Sequence, residues 1–178
     1  NDLHKNSSSL LNLPVDLFEN MELKMVAGQK ISPEFENQIL QHFSKKNVNV
    51  SIETKINDKR KFEIFSSSKF LFFPSAFEGF GYPPIEALYK GCMVICNNLA
   101  NYKETLGGAP YYTECSNLAN VEEILAKSSN DKLQPEYNCD FPIKKHITID
   151  RASLNFADIL YRNFNLITGT ILRGHSAT

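Results

Sequence analysis

Two glutamates, Glu78 and Glu86, bracket a turn of the sequence that contains Gly79 and Gly81. Glycines let the backbone turn tightly and let a ligand approach the main chain. A carboxylate accepts paired hydrogen bonds, and its natural neutral partner is a vicinal diol such as a ribose or a hexose carries. The backbone N–H groups of the turn precede the start of a helix, where an anion can bind. The pattern therefore favours a ligand with sugar hydroxyls on either side of a pyrophosphate, which is the outline of a nucleotide-sugar.

The backbone donors of this turn follow from the residue types, because prolines have no backbone N–H. Since positions 83 and 84 are prolines, the donors are the amides of Gly79, Phe80, Gly81, Tyr82 and Ile85. A structural origin for the acidic pair stays open. Glu86 is expected in the first turn of the helix, where the helix dipole favours any glutamate, and Glu78 can be an exposed loop acid. A Gly-rich loop that enters a helix is a weak signal by itself.

The elements that must position this turn alternate between strand and helix. Strands are predicted at residues 23–27, 48–52, 70–73, 93–96 and 111–112. Helices are predicted to begin after Ser32, at a cap formed by Asp58, at Pro84 and after Asn117. Alternating strands and helices with short connections are typical of an open parallel α/β sheet with right-handed crossovers. We predict a Rossmann-like open parallel sheet with helices on both faces, and ligands bind such sheets beyond the carboxyl ends of the strands.

The alternating pattern fades after Lys127, which divides the chain in two. Residues 1–128 are predicted to form a Rossmann-like nucleotide-sugar-binding domain. Residues 129–178 are predicted to form a polar connection and a C-terminal helix, at about residues 150–164, that packs back on the domain. The closing segment 169–178 is polar, and we expect it to fray.

Composition excludes several classes of function. The 178 residues carry 19 Lys+Arg against 20 Asp+Glu, so the net charge of −1 offers no electrostatic footprint for nucleic acid. The apolar run Phe70–Phe73 is too short to span a bilayer, and no charged-then-apolar leader predicts a signal peptide. Cys92, Cys96, Cys115 and Cys139 lack zinc-site spacing and are predicted to be reduced core residues, which predicts a cytoplasmic protein. No Gly-x-Gly-x-x-Gly motif supports a nicotinamide cofactor.

A longer segment carries a specific resemblance. Residues 73–98, FPSAFEGFGYPPIEALYKGCMVICNN, closely resemble the donor-binding signature of the retaining glycosyltransferases of family 4. These are GT-B enzymes, with two Rossmann-like domains, of the group 1 glycosyl transferases, and their C-terminal domain carries a Glu-x7-Glu motif. Glu78 and Glu86 have that spacing, and residues 104–109 are similar to the family's following acidic-then-glycine segment. The resemblance covers about residues 20–128 and implies the C-terminal half of such an enzyme, with its first strand missing from this chain.

The resemblance implies roles for the residues of the turn. Glu78 would contact hydroxyls of the transferred sugar, as the catalytic residue. The amides of Phe80, Gly81 and Tyr82, with Gly79 beside them, would face the donor sugar and its phosphates. The ribose 2′- and 3′-hydroxyls would be held by the second glutamate, Glu86, which agrees with the diol argument above.

Two further sites rest on the resemblance. Family members neutralise the pyrophosphate with an upstream Arg and Lys; Lys5 resembles the Lys position, and the alternative for Lys5 is a solvated terminal lysine. The Arg has no counterpart here. The base pocket would lie near residues 54–56. The basic run 59–61 is predicted to be a solvated helix face rather than a phosphate clamp.

The implied reaction is transfer of a sugar, hexosyl in type, from a nucleoside diphosphate sugar to a glycan, lipid or small-molecule acceptor, with retention, as in polysaccharide biosynthesis. The nucleotide-sugar is a substrate, so no cofactor is expected, and because the chain has no Asp-x-Asp motif no metal is expected either. The alternative is a non-catalytic nucleotide-sugar-binding module that needs a separate N-terminal acceptor domain. We expect the isolated chain to be inactive or nearly so. A longer protein with that domain could associate peripherally with a membrane.

Overall fold

The computed structural model describes residues 5–18, 21–44, 48–115, 117–129 and 168–174. Two 3₁₀ helices, Ser7–Asn12 and Val15–Phe18, precede the first strand. The strands are β1 (Met21–Ala27), β2 (Asn49–Thr54), β3 (Phe70–Phe73), β4 (Met93–Asn97), β5 (Tyr111–Thr113) and β6 (Thr168–Gly174). The helices are α1 (Pro33–Ser44), α2 (Asp58–Ser66), α3 (Tyr82–Tyr89), α4 (Ala100–Leu106) and α5 (Leu118–Ser129). From β1 to α5 strands and helices alternate, as predicted, although α4 was not among the predicted helices.

The six strands form one sheet in the order β2-β1-β6-β3-β4-β5. β1 pairs in parallel with β2, and β4 pairs in parallel with both β3 and β5. β6 runs antiparallel between β1 and β3. The predicted α/β, Rossmann-like class is therefore confirmed, with one antiparallel strand within the otherwise parallel sheet.

Strand β6 shows that the expected fraying of residues 169–178 is wrong for most of that segment. Thr170 of β6 lies opposite Met25 of β1 on one side and Phe72 of β3 on the other. Without β6, the facing edges of β1 and β3 would leave backbone N–H and C=O groups unpaired in the middle of the sheet. Any non-proline backbone can supply these partners, whatever its side chains, so polar composition was a poor guide to this strand.

Both faces of the sheet are covered, because alternate side chains of each strand point to opposite faces. Phe70 and Phe72 of β3 belong to a core shared with the 3₁₀ helices, α1 and α5. Leu71 and Phe73 belong to a second core shared with α2, α3 and α4. All four residues of β3 are buried, as expected of a central strand. The loop that follows β3 therefore starts from the most constrained part of the sheet.

The starts of the helices agree with the sequence to within two residues. Ser32 Oγ accepts a hydrogen bond from the Phe35 amide at 3.2 Å at the start of α1, as its cap. Asn57, and not Asp58, caps α2, since Asn57 Oδ1 accepts from the Arg60 amide at 2.8 Å. Helix α3 begins at Tyr82, two residues before the predicted start.

Three of the four cysteines lie in the described part of the chain, and all three are buried free thiols. Burial raises the pKa of Cys92 and of Cys115 to about 12 and raises the pKa of Cys96 as well. These thiols are therefore protonated core residues, as predicted. Cys139 and the helix predicted at residues 150–164 lie outside the described residues, and none of the described helices is long and apolar enough to cross a membrane.

Candidate functional site

The loop of residues 74–81 connects the carboxyl end of β3 to α3 and is fastened to the neighbouring strands by Asn97. The Asn97 Nδ2 group, at the end of β4, donates to the carbonyls of Pro74 at 2.7 Å and Ser75 at 2.8 Å. The Asn97 Oδ1 atom accepts from the Cys115 amide at 2.7 Å, just after β5. One side chain thus joins the carboxyl ends of three strands. Sequence reasoning missed it, because an asparagine at a strand end is common in turns of every kind.

Side chains of helix α4 hold the outer part of the loop by hydrogen bonds to the carbonyl groups of the loop. Asn101 Nδ2 donates to the carbonyl of Glu78 at 2.7 Å and to that of Gly79 at 3.1 Å. Thr105 Oγ1 lies 3.4 Å from the carbonyl of Phe80. With its carbonyls facing α4, the loop can turn its N–H groups away from that helix.

Several of the predicted loop donors are available to a ligand. Among the described residues, the backbone N–H groups of Gly79, Phe80 and Gly81 have no hydrogen-bond acceptor. The prediction for Ile85 is wrong, because its amide donates to the Gly81 carbonyl at 3.3 Å within the first helical turn. The loop and the start of α3 therefore present a short run of N–H groups, a geometry that can bind an anion.

Gly81 is required by the geometry, whereas Gly79 is not. Gly81 has φ +81°, and a Cβ added there would lie 2.6 Å from Tyr102 Cε1. A Cβ on Gly79 would meet nothing within 4 Å. The tight passage from loop to helix thus depends on Gly81 alone, because both its backbone conformation and its contact with the Tyr102 ring exclude a side chain.

Lys5 and Glu78 are brought together at one end of the loop. Lys5 Nζ forms an ion pair with Glu78 Oε1, and only 7% and 13% of the two side chains are exposed. The Lys5 ammonium also lies 5.6 Å from the centroid of the Phe73 ring. The alternative of a solvated terminal lysine is therefore wrong for Lys5. Glu78 is likewise no freely exposed loop acid.

Glu86 lies at the other end of the loop, in the second turn of α3. Its Oε1 atom accepts from Lys61 Nζ at 2.8 Å, and its Oε2 atom is buried without a hydrogen-bond partner among the described residues. Burial raises the pKa of Glu86, while the charge of Lys61 opposes the rise. Because α3 begins at Tyr82, Glu86 is not in the first turn as predicted, and the helix dipole explains little of its placement.

Lys61 does not lie on a solvated helix face, so that expectation is wrong for it. The Lys61 residue is only 2% exposed and also contacts Asp58 Oδ1 at 3.0 Å. The sequence did carry a signal, since Lys61 lies three and four residues before Ile64 and Phe65, the buried side of α2. Arg60 fits the expectation better; it is partly exposed and pairs with Glu53 Oε1 at 2.6 Å.

Tyr102 was not predicted to belong to the site. Its ring is fully buried against Gly81, and its hydroxyl is buried without a partner among the described residues. Burial raises the pKa of Tyr102, and the nearby Glu78 carboxylate raises it further. Helix α4 thus brings a neutral phenol close to the Lys5–Glu78 ion pair. No sequence pattern could place it there, because the contact joins a residue of α4 to the start of α3, 21 positions earlier in the chain.

The predicted base pocket at residues 54–56 lies at the carboxyl end of β2. Lys55 has φ +53°, and its amide donates to the Ala27 carbonyl at the end of β1 at 3.0 Å. The segment therefore shares the carboxyl edge of the sheet with the loop after β3, and its contact with a base stays a prediction. No group of three or more metal-ligating side chains occurs in the described ranges.

Comparisons with known proteins agree with this architecture. Residues 3–136 match the family model described as glycosyl transferases group 1. Over 66 residues the chain is 38% identical to "Putative glycosyltransferase 41" of Sulfolobus islandicus filamentous virus, which covers 34% of this chain and 20% of that protein. Over 123 residues it is 24% identical to the serotype-specific mannosyltransferase WbdA of Escherichia coli, covering 67% of this chain and 15% of WbdA.

The chain thus spans a fifth or less of the length of these curated relatives. The family match takes in both 3₁₀ helices, every element from β1 to α5 and the whole segment between Glu78 and Glu86. The chain belongs to the glycosyl transferases group 1 family.

Proposed function

We propose that this chain is the donor-binding part of a retaining glycosyltransferase that moves a hexosyl group from a nucleoside diphosphate sugar to a glycan, lipid or small-molecule acceptor. The observation that carries the proposal is the distribution of polar groups along the segment from Glu78 to Glu86, which contains the end of the loop after β3 and the first turns of α3. An ion pair, Lys5–Glu78, lies at one end, and Glu86, a carboxylate with one oxygen that has no partner among the described residues, lies at the other. Between them lie N–H groups that have no acceptor in the part of the chain that the structure describes.

Glu86 suits a ribose because only one of its two carboxylate oxygens, Oε1, has a hydrogen-bond donor among the described residues. Lys61 occupies Oε1, whereas Oε2 has no donor among the described residues. A buried acceptor without a donor costs free energy, and a ribose hydroxyl would supply the donor. Glu86 keeps 19% of its side chain exposed, and the last torsion of a glutamate is soft, so the carboxylate can turn toward an incoming diol.

The diphosphate would bind at the middle of the loop. The amides of Gly79, Phe80 and Gly81 and the ammonium of Lys5 are the positive groups available there. In the proposed complex Lys5 shares its charge between Glu78 and the diphosphate. These groups would stabilise the negative charge that develops as the diphosphate departs.

Glu78 is proposed to contact hydroxyls of the transferred sugar and to act as the catalytic residue of this chain. Its carboxylate can also stabilise the positive charge that develops on an oxocarbenium-like sugar. Glu78 and Glu86 do not act as the acid and base of a glycosidase, because Glu86 is committed to Lys61 and to the ribose. The departing diphosphate would accept the proton of the acceptor.

A second candidate is a binding module that does not catalyse transfer by itself. It is favoured by the share of the curated relatives that the chain covers, 20% and 15%, because an acceptor site can lie in the remaining length of those proteins. The two candidates differ in whether nucleoside diphosphate is released from the donor. The chain with the donor alone, or with candidate acceptors, would release nucleoside diphosphate if it catalyses transfer or hydrolysis. A binding module would give a dissociation constant and no product.

The test of donor binding is calorimetry with a panel of nucleoside diphosphates and their sugars. We expect at least one to bind, and we expect Glu86→Gln to weaken it about tenfold or more, since a charged hydrogen bond to a diol contributes about 1.5–3 kcal/mol. The 2′-deoxy form of that nucleotide should bind wild type less tightly and Glu86→Gln about equally. Glu34→Gln, an exposed carboxylate in the first turn of α1, is the matched control.

Three outcomes would count against these assignments. If no nucleotide binds, the proposed function is wrong. If a nucleotide binds and Glu86→Gln leaves its affinity unchanged, the ribose assignment is wrong while donor binding stands. Equal losses in Glu34→Gln and Glu86→Gln would indicate a general effect of charge on the domain.

A further inference from the structure

Lys61 is a buried cation that faces Glu86 from a neighbouring helix. Its ammonium lies 2.8 Å from Glu86 Oε1 and 3.0 Å from Asp58 Oδ1. The Lys61 side chain is 3% exposed, against 19% for Glu86 and 56% for Asp58. Of the two carboxylates paired with Lys61, the less exposed is therefore Glu86, which is proposed to hold the ribose.

The position of Lys61 on α2 explains why its ammonium reaches inward. Lys61 is in phase with Ile64 and Phe65, which pack in the core between α2, α3 and the sheet. Its ammonium lies 4.9 Å from the centroid of the Phe62 ring. A buried ammonium is unfavourable unless it is paired. Glu86 and Lys61 therefore each offset the free-energy cost of burying the other's charge.

The surroundings of Glu86 contain few other charges that could replace Lys61. From α2, the charged groups that face it are Lys61 and Asp58. Lys90, one turn along α3, directs its ammonium to the rings of Phe62 and Tyr89 instead. Burial raises the pKa of Glu86, Asp58 raises it slightly further, and Lys61 lowers it by charge and by its hydrogen bond.

We propose that Lys61 is a positioning residue for nucleotide recognition: it holds Oε1 of Glu86 by an ion pair, favours the ionised carboxylate and so leaves Oε2 as the acceptor for a ribose hydroxyl. The inference that Lys61 serves recognition rests on the proposed function. The inference that Lys61 sets the ionisation of Glu86 does not, and it can be tested without any nucleotide.

The first experiment titrates the carboxyl carbons of the full chain by NMR, with the Glu86 signal assigned from its absence in Glu86→Gln. We expect Lys61→Met to raise the titration midpoint of Glu86 and Lys61→Arg to restore it. Lys61→Gln, which keeps a donor without the charge, should fall between them and serves if the methionine variant folds poorly. Lys59→Met, an exposed lysine on the same helix, should leave the midpoint unchanged.

The second experiment measures the preference for a nucleoside diphosphate over its 2′-deoxy form from pH 5.5 to 9. A carboxylate accepts the ribose hydroxyl only when ionised, so the preference falls as pH falls through the pKa of Glu86. Because Lys61→Met raises that pKa, we expect its preference to begin to fall at a higher pH than that of wild type and to recover toward pH 9. Lys61→Arg should follow wild type.

The outcomes separate this inference from the proposed function. An unchanged Glu86 midpoint in Lys61→Met overturns the inference, whether or not nucleotides bind. Equal weakening of the ribo and deoxy forms at every pH would make Lys61 only a structural clamp between α2 and α3. If wild type binds no nucleotide, the proposed function fails and recognition by Lys61 fails with it.

Discussion

At the scale of single residues, the site depends on groups whose environments differ although their types are the same. Gly79 and Gly81 flank Phe80, yet only Gly81 has a left-handed backbone and a neighbour within van der Waals distance of a missing Cβ. Glu78 and Glu86 are both paired with lysines, yet only Glu86 retains a buried oxygen without a partner among the described residues. Residue type alone therefore could not assign these roles.

Gly81→Ala is expected to lower the free energy of unfolding by about 1–3 kcal/mol. The added Cβ would meet the Tyr102 ring at 2.6 Å and would force an alanine into φ +81°. Gly79→Ala, two residues away, should change the free energy of unfolding by no more than about 0.5 kcal/mol. Urea denaturation of both variants checks this pair, and equal effects would contradict the close packing of Gly81 on Tyr102.

At the scale of elements, helix α4 and the ends of β4 and β5 position the loop after β3. Asn97 ties the first residues of the loop to β4 and β5, and Asn101 ties its outer residues to α4. The sequence predicted β3, β4 and β5, because their hydrophobic pattern is local, but it did not predict α4. It did not predict the two asparagines, because their bonds reach more than twenty residues back along the chain to loop carbonyls.

Asn101→Ala is expected to loosen the loop without unfolding the domain. The carbonyls of Glu78 and Gly79 would lose their donor from α4, so the backbone NMR order parameters of residues 79–81 should fall, while the amides of β3 and β4 stay protected in hydrogen-exchange NMR. Glu104→Ala, an exposed position on the same helix, is the control. Faster exchange throughout the sheet in Asn101→Ala would instead indicate global destabilisation.

At the scale of the whole molecule, β6 joins two groups of parallel strands into one sheet. β1 and β2 lie on one side of β6, and β3, β4 and β5 lie on the other. Both edges of β6 are paired, so the cohesion of the sheet depends on a strand that is far from its neighbours in sequence. The described contacts of β6 with β1 and β3 are therefore the long-range step in assembling this sheet.

Thr170→Pro tests whether the pairing of β6 with β1 and β3 holds the sheet together. Thr170 lies opposite Met25 and Phe72, so its N–H belongs to a ladder on one side or the other, and proline would remove it. We expect the free energy of unfolding to fall by roughly 3 kcal/mol and the melting temperature to fall by about 6–12 °C. Thr170→Val, which keeps the N–H and favours strands, should melt within about 2 °C of wild type. A melting temperature unchanged by proline would show that β6 does not hold the sheet together.

The sequence by itself determined the α/β class, the order of the elements from β1 to α5 apart from α4, and the segment between Glu78 and Glu86. Each of these depends on local information: periodicity, capping residues, prolines, and glycines beside a helix start. Only the tertiary structure decided that Lys5 reaches Glu78, that Lys61 is buried against Glu86 and that Tyr102 packs on Gly81. Such contacts depend on which strand ends and helix faces become neighbours, and the free energy of burying a charge is decided by its partners there.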